Sequence, residues 1–474
     1  AGEGEGAFAV EDYFQTSDIG PIPEYEQREG DPIAGYDVLV NEGYVSCGIP
    51  TRVYDIAFGG ETPDVLKLPG RRPLTADLPF NRTRFERDGI ELVSTNCLTC
   101  HANILPSTGQ LMVGLPNEGD YTMNLATAAK FGRELVDENN PREVEEYDRF
   151  LQRVTASGPH VVADTIGVNP ADNLPGVLTS HRDPDTWEWL EQPWYEVPET
   201  PVVPLSVPPW WHVKKKNALY YTAIGRGDHA RFMMAAALLC TDSLEEARKI
   251  DEWFVDVRAY LLTIEPPEFA WPIDETLAQQ GEAVFEANCS RCHGTYGADW
   301  TYPNLVVAIE EVGTDPVLAV GGIIGAKEPV AWLNRSFFGE LSIVAPARGY
   351  VAPPLDGIWA SAPYFHNGSV PTVAAVIDSS LRPTYWKRDW QTLEYDPDAL
   401  GTFDVGGVQK TVDQMTAAEL TAAGVAPLAK TLAVDLALAG YAGVEKVEGL
   451  TVLGNGQLAL INDGSTSDGS ETRK

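Results

Sequence analysis

Apolar positions along the chain fall into a few helical stripes separated by long irregular stretches. The clearest stripe runs over Leu238–Ile264 and ends in Trp253, Val257, Tyr260, Leu261 and Ile264 at helical spacing. Glu265-Pro266-Pro267 stops it, because proline cannot continue the hydrogen-bond ladder. Pro266–Asp274 then reads as a linker, and a new helix is expected over Glu275–Ala287 with Leu277, Gly281, Val284 and Phe285 on one face. A further helix is expected over Thr83–Ser94, running into Cys97. Residues 1–90 are rich in Gly, Pro and acidic side chains and read as an irregular arm. Pro193–Pro209 reads as extended, and Gly464–Lys474 as a disordered tail. No apolar run approaches the length of a spanning helix; Met233–Cys240 is core-helix sized.

Length and charge narrow the picture. A chain of 474 residues is long enough for two or three domains, each with its own core. With 34 basic against 69 acidic residues the net charge is −35. Such a surface repels nucleic acid and anionic membranes and attracts basic partners, an electron-donor protein among them; solubility or adaptation to salt is the plainer reading. Ala1 reads as a processed end from which a signal peptide has been removed, so a periplasmic or secreted protein with no transmembrane segment is expected.

Six cysteines are present. Four lie in Cys97-Leu98-Thr99-Cys100-His101 and Cys289-Ser290-Arg291-Cys292-His293. CxxCH offers two thiols for thioether bonds to porphyrin vinyl groups and an adjacent imidazole to reach the iron from one face. Two covalently bound haem c groups are therefore expected, held by Cys97 and Cys100 and by Cys289 and Cys292, with His101 and His293 as iron ligands. Zinc is the competing reading of CxxC with His, but the His directly after each motif and the wide separation of the two sites argue against a single tetrahedral site. Cys47 and Cys240 remain, either paired or as buried thiols.

The second axial position governs chemistry, because an open position takes peroxide or dioxygen. After His101 the next histidine is His160; Met112 and Met123 are nearer but read as core residues. For the second haem, His366, Met415 and Tyr364 are the candidates.

The stretch Ala352-Pro353-Pro354-Leu355-Asp356-Gly357-Ile358-Trp359 through Tyr364-Phe365-His366-Asn367-Gly368 resembles the signature of the di-haem cytochrome c peroxidase superfamily. Asp356-Gly357-Ile358-Trp359, His366-Asn367-Gly368, the wide haem spacing and Pro209-Trp210-Trp211 followed by Lys214-Lys215-Lys216-Asn217 look nearest to its bacterial rubber oxygenase branch. Two features depart from the peroxidases: no His closely follows His101, and Val373–Pro383 has no Met.

The motifs and the resemblance together imply a mainly α fold of two cytochrome c-like haem domains with a long irregular N-terminal arm and loops. The expected division is an arm at 1–90, haem domains at 91–265 and 266–390, and a C-terminal extension at 391–474. The resemblance also implies a tryptophan relaying electrons between the haems. Trp210 and Trp211 are the candidates, with Trp211 preferred; with His366 they are the candidate catalytic residues. Lys214–Lys216, Arg226 and Arg231 read either as cations beside haem propionates or as a solvated patch. Arg348 and Asp356 flank the signature and read as propionate contacts or loop-fixing groups. His212 and His229 read as hydrogen-bonded structural residues, with lining of the haem pocket as the alternative for either. Calcium between domains occurs in related enzymes, although the chain has no EF-type loop. The function implied is an oxidoreductase activating hydrogen peroxide; a dioxygenase taking O2 at the first haem and a pure electron carrier are the alternatives.

Overall fold

The computed structural model describes residues 19–402 except 118, 165, 198–201, 325, 384, 385 and 387–394, together with residues 449–452 and 458–461. Residues 1–405 form one compact unit and residues 406–474 a second. In the second, the described residues form an antiparallel pair, Gly449–Val452 with Leu458–Ile461. Met415 and the tail Gly464–Lys474 lie outside the described residues.

The first unit mixes helices with small sheets, so the expectation of a mainly α fold is corrected. Helices α1 (Pro32–Asn41) and α2 (Thr51–Phe58) occupy the stretch expected to be irregular. Asp31 explains the first: its carboxylate caps the Ile33 N–H, and Pro32 sits at the helix start, where no amide is needed. Strands β1 (Gly20–Pro21), β2 (Ile49–Pro50), β3 (Arg82–Arg87) and β4 (Ile90–Thr95) follow in this part of the chain. The helix expected over Thr83–Ser94 is instead the β3–β4 hairpin, paired from Arg82 with Thr95 to Arg87 with Ile90. Asp88 and Gly89 both have positive φ (50° and 81°), which suits a tight two-residue hairpin turn.

The short helix α3 (Leu98–His101) leads into the hairpin β5 (Ala102–Leu105) and β6 (Gln110–Val113). Helices α4 (Leu125–Gly132), α5 (Pro141–Ser157) and α6 (Leu174–Ser180) come next. A 3-10 turn over Trp210–Lys215, strand β7 (Gly225–Gly227) and helix α7 (His229–Met233) precede the long α8 (Leu244–Leu261). The expected stripe is thus α8, capped by Ser243 and preceded by 3-10 turns over Met234–Leu239. The expected helix before the second motif is α9 (Glu275–Asn288), capped by Asp274 accepting from the Thr276 and Leu277 amides. It leads into α10 (Ser290–His293). Strand β8 (Leu305–Ala308) pairs with β1 and with β10 (Gly349–Val351), while β9 (Ser342–Val344) pairs with β7.

One large core gathers Leu39, Tyr44, Leu98, Trp187, Trp211, Leu238, Phe254 and Phe338, all essentially without solvent exposure. It runs from α1 and α8 to Trp210 and Trp359. Cys47 and Cys240 are joined across it, with Cα atoms 5.2 Å apart. No described helix is long and apolar enough to cross a membrane.

Candidate haem-binding site

The first motif is held by its own backbone. The Cys100 and His101 amides donate to the Cys97 carbonyl, and the Asn96 side chain accepts from the Leu98 amide while donating to Phe80 O and Thr83 Oγ1. Buried Leu98 anchors the turn in the core, with Cys97 packed against the same core. Cys97, His101, Lys216 and Tyr220 are half-buried, and Asp172 is exposed. Tyr220 is within electrostatic reach of both Cys97 and Asp172, and its backbone is in the left-handed region at φ 68°, rare for a bulky residue.

Burial holds the His101 imidazole down to about 3, so it is neutral and able to ligate iron. Its Nδ1 is buried with no hydrogen-bond partner. Desolvation likewise pushes the Cys97 thiol up to about 11 and the Asp172 carboxyl up to about 6. The Cys100 thiol lies 3.3 Å from Tyr121 Oη and accepts from Asn169 Nδ2 at 3.2 Å.

The second motif presents the same donor set. Cys289 is exposed and Cys292 half-buried. His293 Nδ1 lies 2.8 Å from Pro353 O; a proton on Nδ1 leaves Nε2 free for a metal. Burial lowers the His293 pKa, and the Pro353 carbonyl partly offsets this. Both motifs thus fit a covalently attached haem c: each offers two cysteine thiols outside any disulfide and an imidazole whose pKa burial lowers. Among the described residues no cluster of three or more His, Cys, Asp or Glu forms a separate metal site.

The tryptophan pair lies between the motifs. Trp210 stacks on His101, centroids 4.5 Å apart and planes 19° apart. Its amide donates to Gly114 O, and the Gly114 amide donates to His101 O. Trp211 Nε1 donates to Asp356 O at 2.7 Å, and His212 Nε2 lies 3.0 Å from the same carbonyl. The Asp356 carboxylate is held by Lys215 at 2.7 Å. One residue before it, the Leu355 amide donates to Tyr296 Oη, which in turn donates to His293 O at 3.0 Å. Gly357 makes this junction possible. Its φ is 61°, and a Cβ there would meet Pro266 Cβ at 2.8 Å and Trp211 Cε2 at 3.2 Å. Residues 352–357 therefore join the Trp pair to the second motif.

His366 is not part of this junction. It is buried, stacks on Tyr350 with centroids 4.2 Å apart, and its carbonyl accepts from the Ser206 amide. Tyr364 donates to the Ile358 and Leu400 carbonyls. Met123 is exposed rather than in the core. Of the cations, Lys214 pairs with Glu265, Arg231 with Asp251, and Arg348 with Glu310. Buried Arg226 donates to Ala223 O. His212 has the expected hydrogen bond, and the buried His229 ring has the Asn217 backbone close to it. Sequence reasoning missed Asp172, Tyr220, Tyr296 and the Pro353 carbonyl; no local pattern marks them. Two surface clefts, beside Arg72 and Arg84 and beside Arg52 and Glu143, include no motif residue.

A family model described as RoxA-like, cytochrome c-like, matches residues 349–387. That match supports the cytochrome c/RoxA-like superfamily. It implies haem c and an oxidoreductase-related protein. The chain is also 31% identical to uncharacterised protein y4iJ of Sinorhizobium fredii, over 29% of this chain and 32% of that one. It is 29% identical to y4iM of the same organism, over 31% of this chain and 38% of that one. The chain thus aligns with only about a third of the length of these curated relatives.

Proposed function

We propose that the chain is a di-haem c-type oxidoreductase, with hydrogen peroxide taken at the His101 site and electrons delivered from the His293 site across Trp210 and Trp211. The observation that carries this is the contact path: His101 on Trp210, Trp211 on Asp356, and the 353–356 loop on His293 and Tyr296. Haem c at each motif supplies an iron that changes oxidation state and, at the first, a position for the oxidant. The chain does the rest. Its two cysteines per motif fix the group, and Pro353 O orients the His293 ring. The Trp pair, both buried, gives a dry aromatic route between the sites. Reduction of peroxide to two waters consumes two electrons and two protons. The Asp172 carboxyl, raised to about 6 and within electrostatic reach of Tyr220, is a candidate to pass a proton on. The electrons come from a donor protein, which a strongly acidic surface favours being basic. Covalent haem attachment places the working compartment in the periplasm or outside the cell.

The RoxA-like match at 349–387 favours a second reading, a dioxygenase taking O2 at the first haem and acting on an unsaturated substrate. Ferric and ferrous spectra with and without carbon monoxide test both. One of two haems should bind carbon monoxide when reduced, and Trp210→Phe with Trp211→Phe should slow electron exchange between two haems that stay attached. Oxygen uptake with an unsaturated hydrocarbon, against peroxide turnover with a reduced donor, separates the two readings. If neither reduced haem binds carbon monoxide, the protein is an electron carrier and both enzymatic readings fail.

A further inference from the structure

The basic run after the Trp pair divides in the fold. Lys214 and Lys215 are neutralised by Glu265 and Asp356. Lys216 is not: among the described residues its ammonium reaches only the Tyr220 carbonyl, at 3.4 Å, and it has no ion pair. It is half-buried beside Tyr220, which is within electrostatic reach of Cys97. Arg258 on α8 is in the same condition. Its Nε is buried without a partner, and no carboxylate lies within ion-pair distance among the described residues. The carboxylate that acts on it from further away is Asp228, which Arg28 already holds through two hydrogen bonds. His229 lies in the field of both Lys216 and Arg258, with the Asn217 backbone close but neither ring nitrogen in hydrogen-bond geometry.

Two half-buried cations with no ion pair among the described residues meet a buried imidazole in a chain of net charge −35. Withdrawing a cation from water without a counterion is unfavourable. An arrangement of this kind is stable when an anion completes it, and planar carboxylates suit a guanidinium and an ammonium side by side. We propose that Lys216, His229 and Arg258 form a carboxylate-binding site that receives the propionates of the haem attached at Cys97 and Cys100. Tyr220, accepting from Lys216 through its carbonyl and within electrostatic reach of Cys97, connects the site to the thioether side. The inference rests on the haem reading above and goes further by naming the groups that neutralise the first haem. It also settles the basic run residue by residue: Lys214, Lys215 and Arg231 serve the protein's own carboxylates, and Lys216 serves the cofactor.

The experiment uses the full-length holoprotein and the variants Lys216→Gln, Arg258→Gln and the two combined, with Lys214→Gln as the surface control. Haem mass is read first; an unmodified polypeptide mass in the unaltered protein would sink the haem reading independently. With two haems present, removing positive charge disfavours the ferrous state. The double variant should therefore shift the ferric-to-ferrous ratio of the first haem about tenfold toward ferric at fixed potential, which is ~59 mV for a one-electron couple. The propionate bending band in resonance Raman should move as well, and Lys214→Gln should change neither. An unchanged potential and unchanged band in the double variant overturn the proposal. Acetate titration separates the sources of the carboxylate. A saturable acetate-dependent spectral shift, lost in the double variant, would show an open site for a free acid and overturn the propionate assignment; no response supports it. If the glutamine variants fail to accumulate, Lys216→Arg decides: charge is kept, so the potential holds while the propionate band moves, and an unmoved band overturns the proposal.

Discussion

Replacing Arg28 with Ala tests the ion network that ties the segment before α1 to α7 and α8. Its guanidinium forks onto two carboxylates at once: Nε and Nη2 donate to Asp228 at 3.0 and 2.8 Å, and Nη1 and Nη2 donate to Asp251 at 2.7 and 2.8 Å. The carboxylates are nearly buried, with side-chain exposures of 4% and 6%, whereas Arg28 is 32% exposed. Removing one partner of a fully buried pair costs roughly 3–5 kcal/mol, because the other charge stays desolvated. Two features reduce that here. Asp251 keeps Arg231, and Asp228 keeps the Arg231 amide that it caps. Partial exposure of Arg28 also screens it, so about 2–3 kcal/mol is the expected loss. Burial alone would raise both carboxyl pKa values; hydrogen bonds and charge from Arg28, with help from Arg231, outweigh it and leave both below the ordinary 3.8. A depressed folded pKa gives stability that is present above the unfolded value and lost as pH falls through the folded one. The gap between native protein and variant should therefore be full at neutral pH and close below about pH 4. Urea unfolding followed by circular dichroism at several pH values measures it, read as a midpoint shift at constant slope. Lys67→Ala is the control, since its partner Asp64 is 97% exposed. A neutral-pH loss no larger than that of Lys67→Ala, or a gap that does not depend on pH, would refute the reasoning.

Further outcomes follow from single features. Gly357→Ala should cost about 1–3 kcal/mol through a strained backbone and a Cβ against Pro266, and should shift the spectrum of the second haem more than that of the first; equal shifts would remove the 352–357 junction from its assigned place. Breaking Cys47–Cys240 by Ser replacement opens a loop of 193 residues, so the loss should be on the order of 5 kcal/mol at most by chain entropy. Non-reducing peptide mapping and thermal unfolding check it, and free alkylatable thiols in native protein would refute the pairing. Mass spectrometry after denaturation should show two haem additions to the polypeptide; an unmodified mass would end the covalent reading of both motifs.

What the sequence determined is local. CxxCH carries its chemistry in five consecutive residues, so the two donor sets were legible without a fold. Helix α9 was legible because Asp274, a helical apolar stripe and the preceding prolines all point the same way. The β3–β4 hairpin was legible too but misread: Asp88-Gly89 and the β-prone residues around it outweigh the helical spacing that suggested a helix. Tertiary structure decided everything that depends on which distant groups meet. Nothing in Lys214-Lys215-Lys216 distinguishes three adjacent ammonium groups; only the positions of Glu265, Asp356 and Tyr220 leave the third without a carboxylate. Nothing in Trp210-Trp211 says that one ring stacks on His101 while the other bonds a carbonyl 145 residues further on. A motif fixes which atoms a segment offers, because covalent spacing sets them. Packing fixes what those atoms face, because burial and charge are properties of the assembled neighbourhood rather than of the chain.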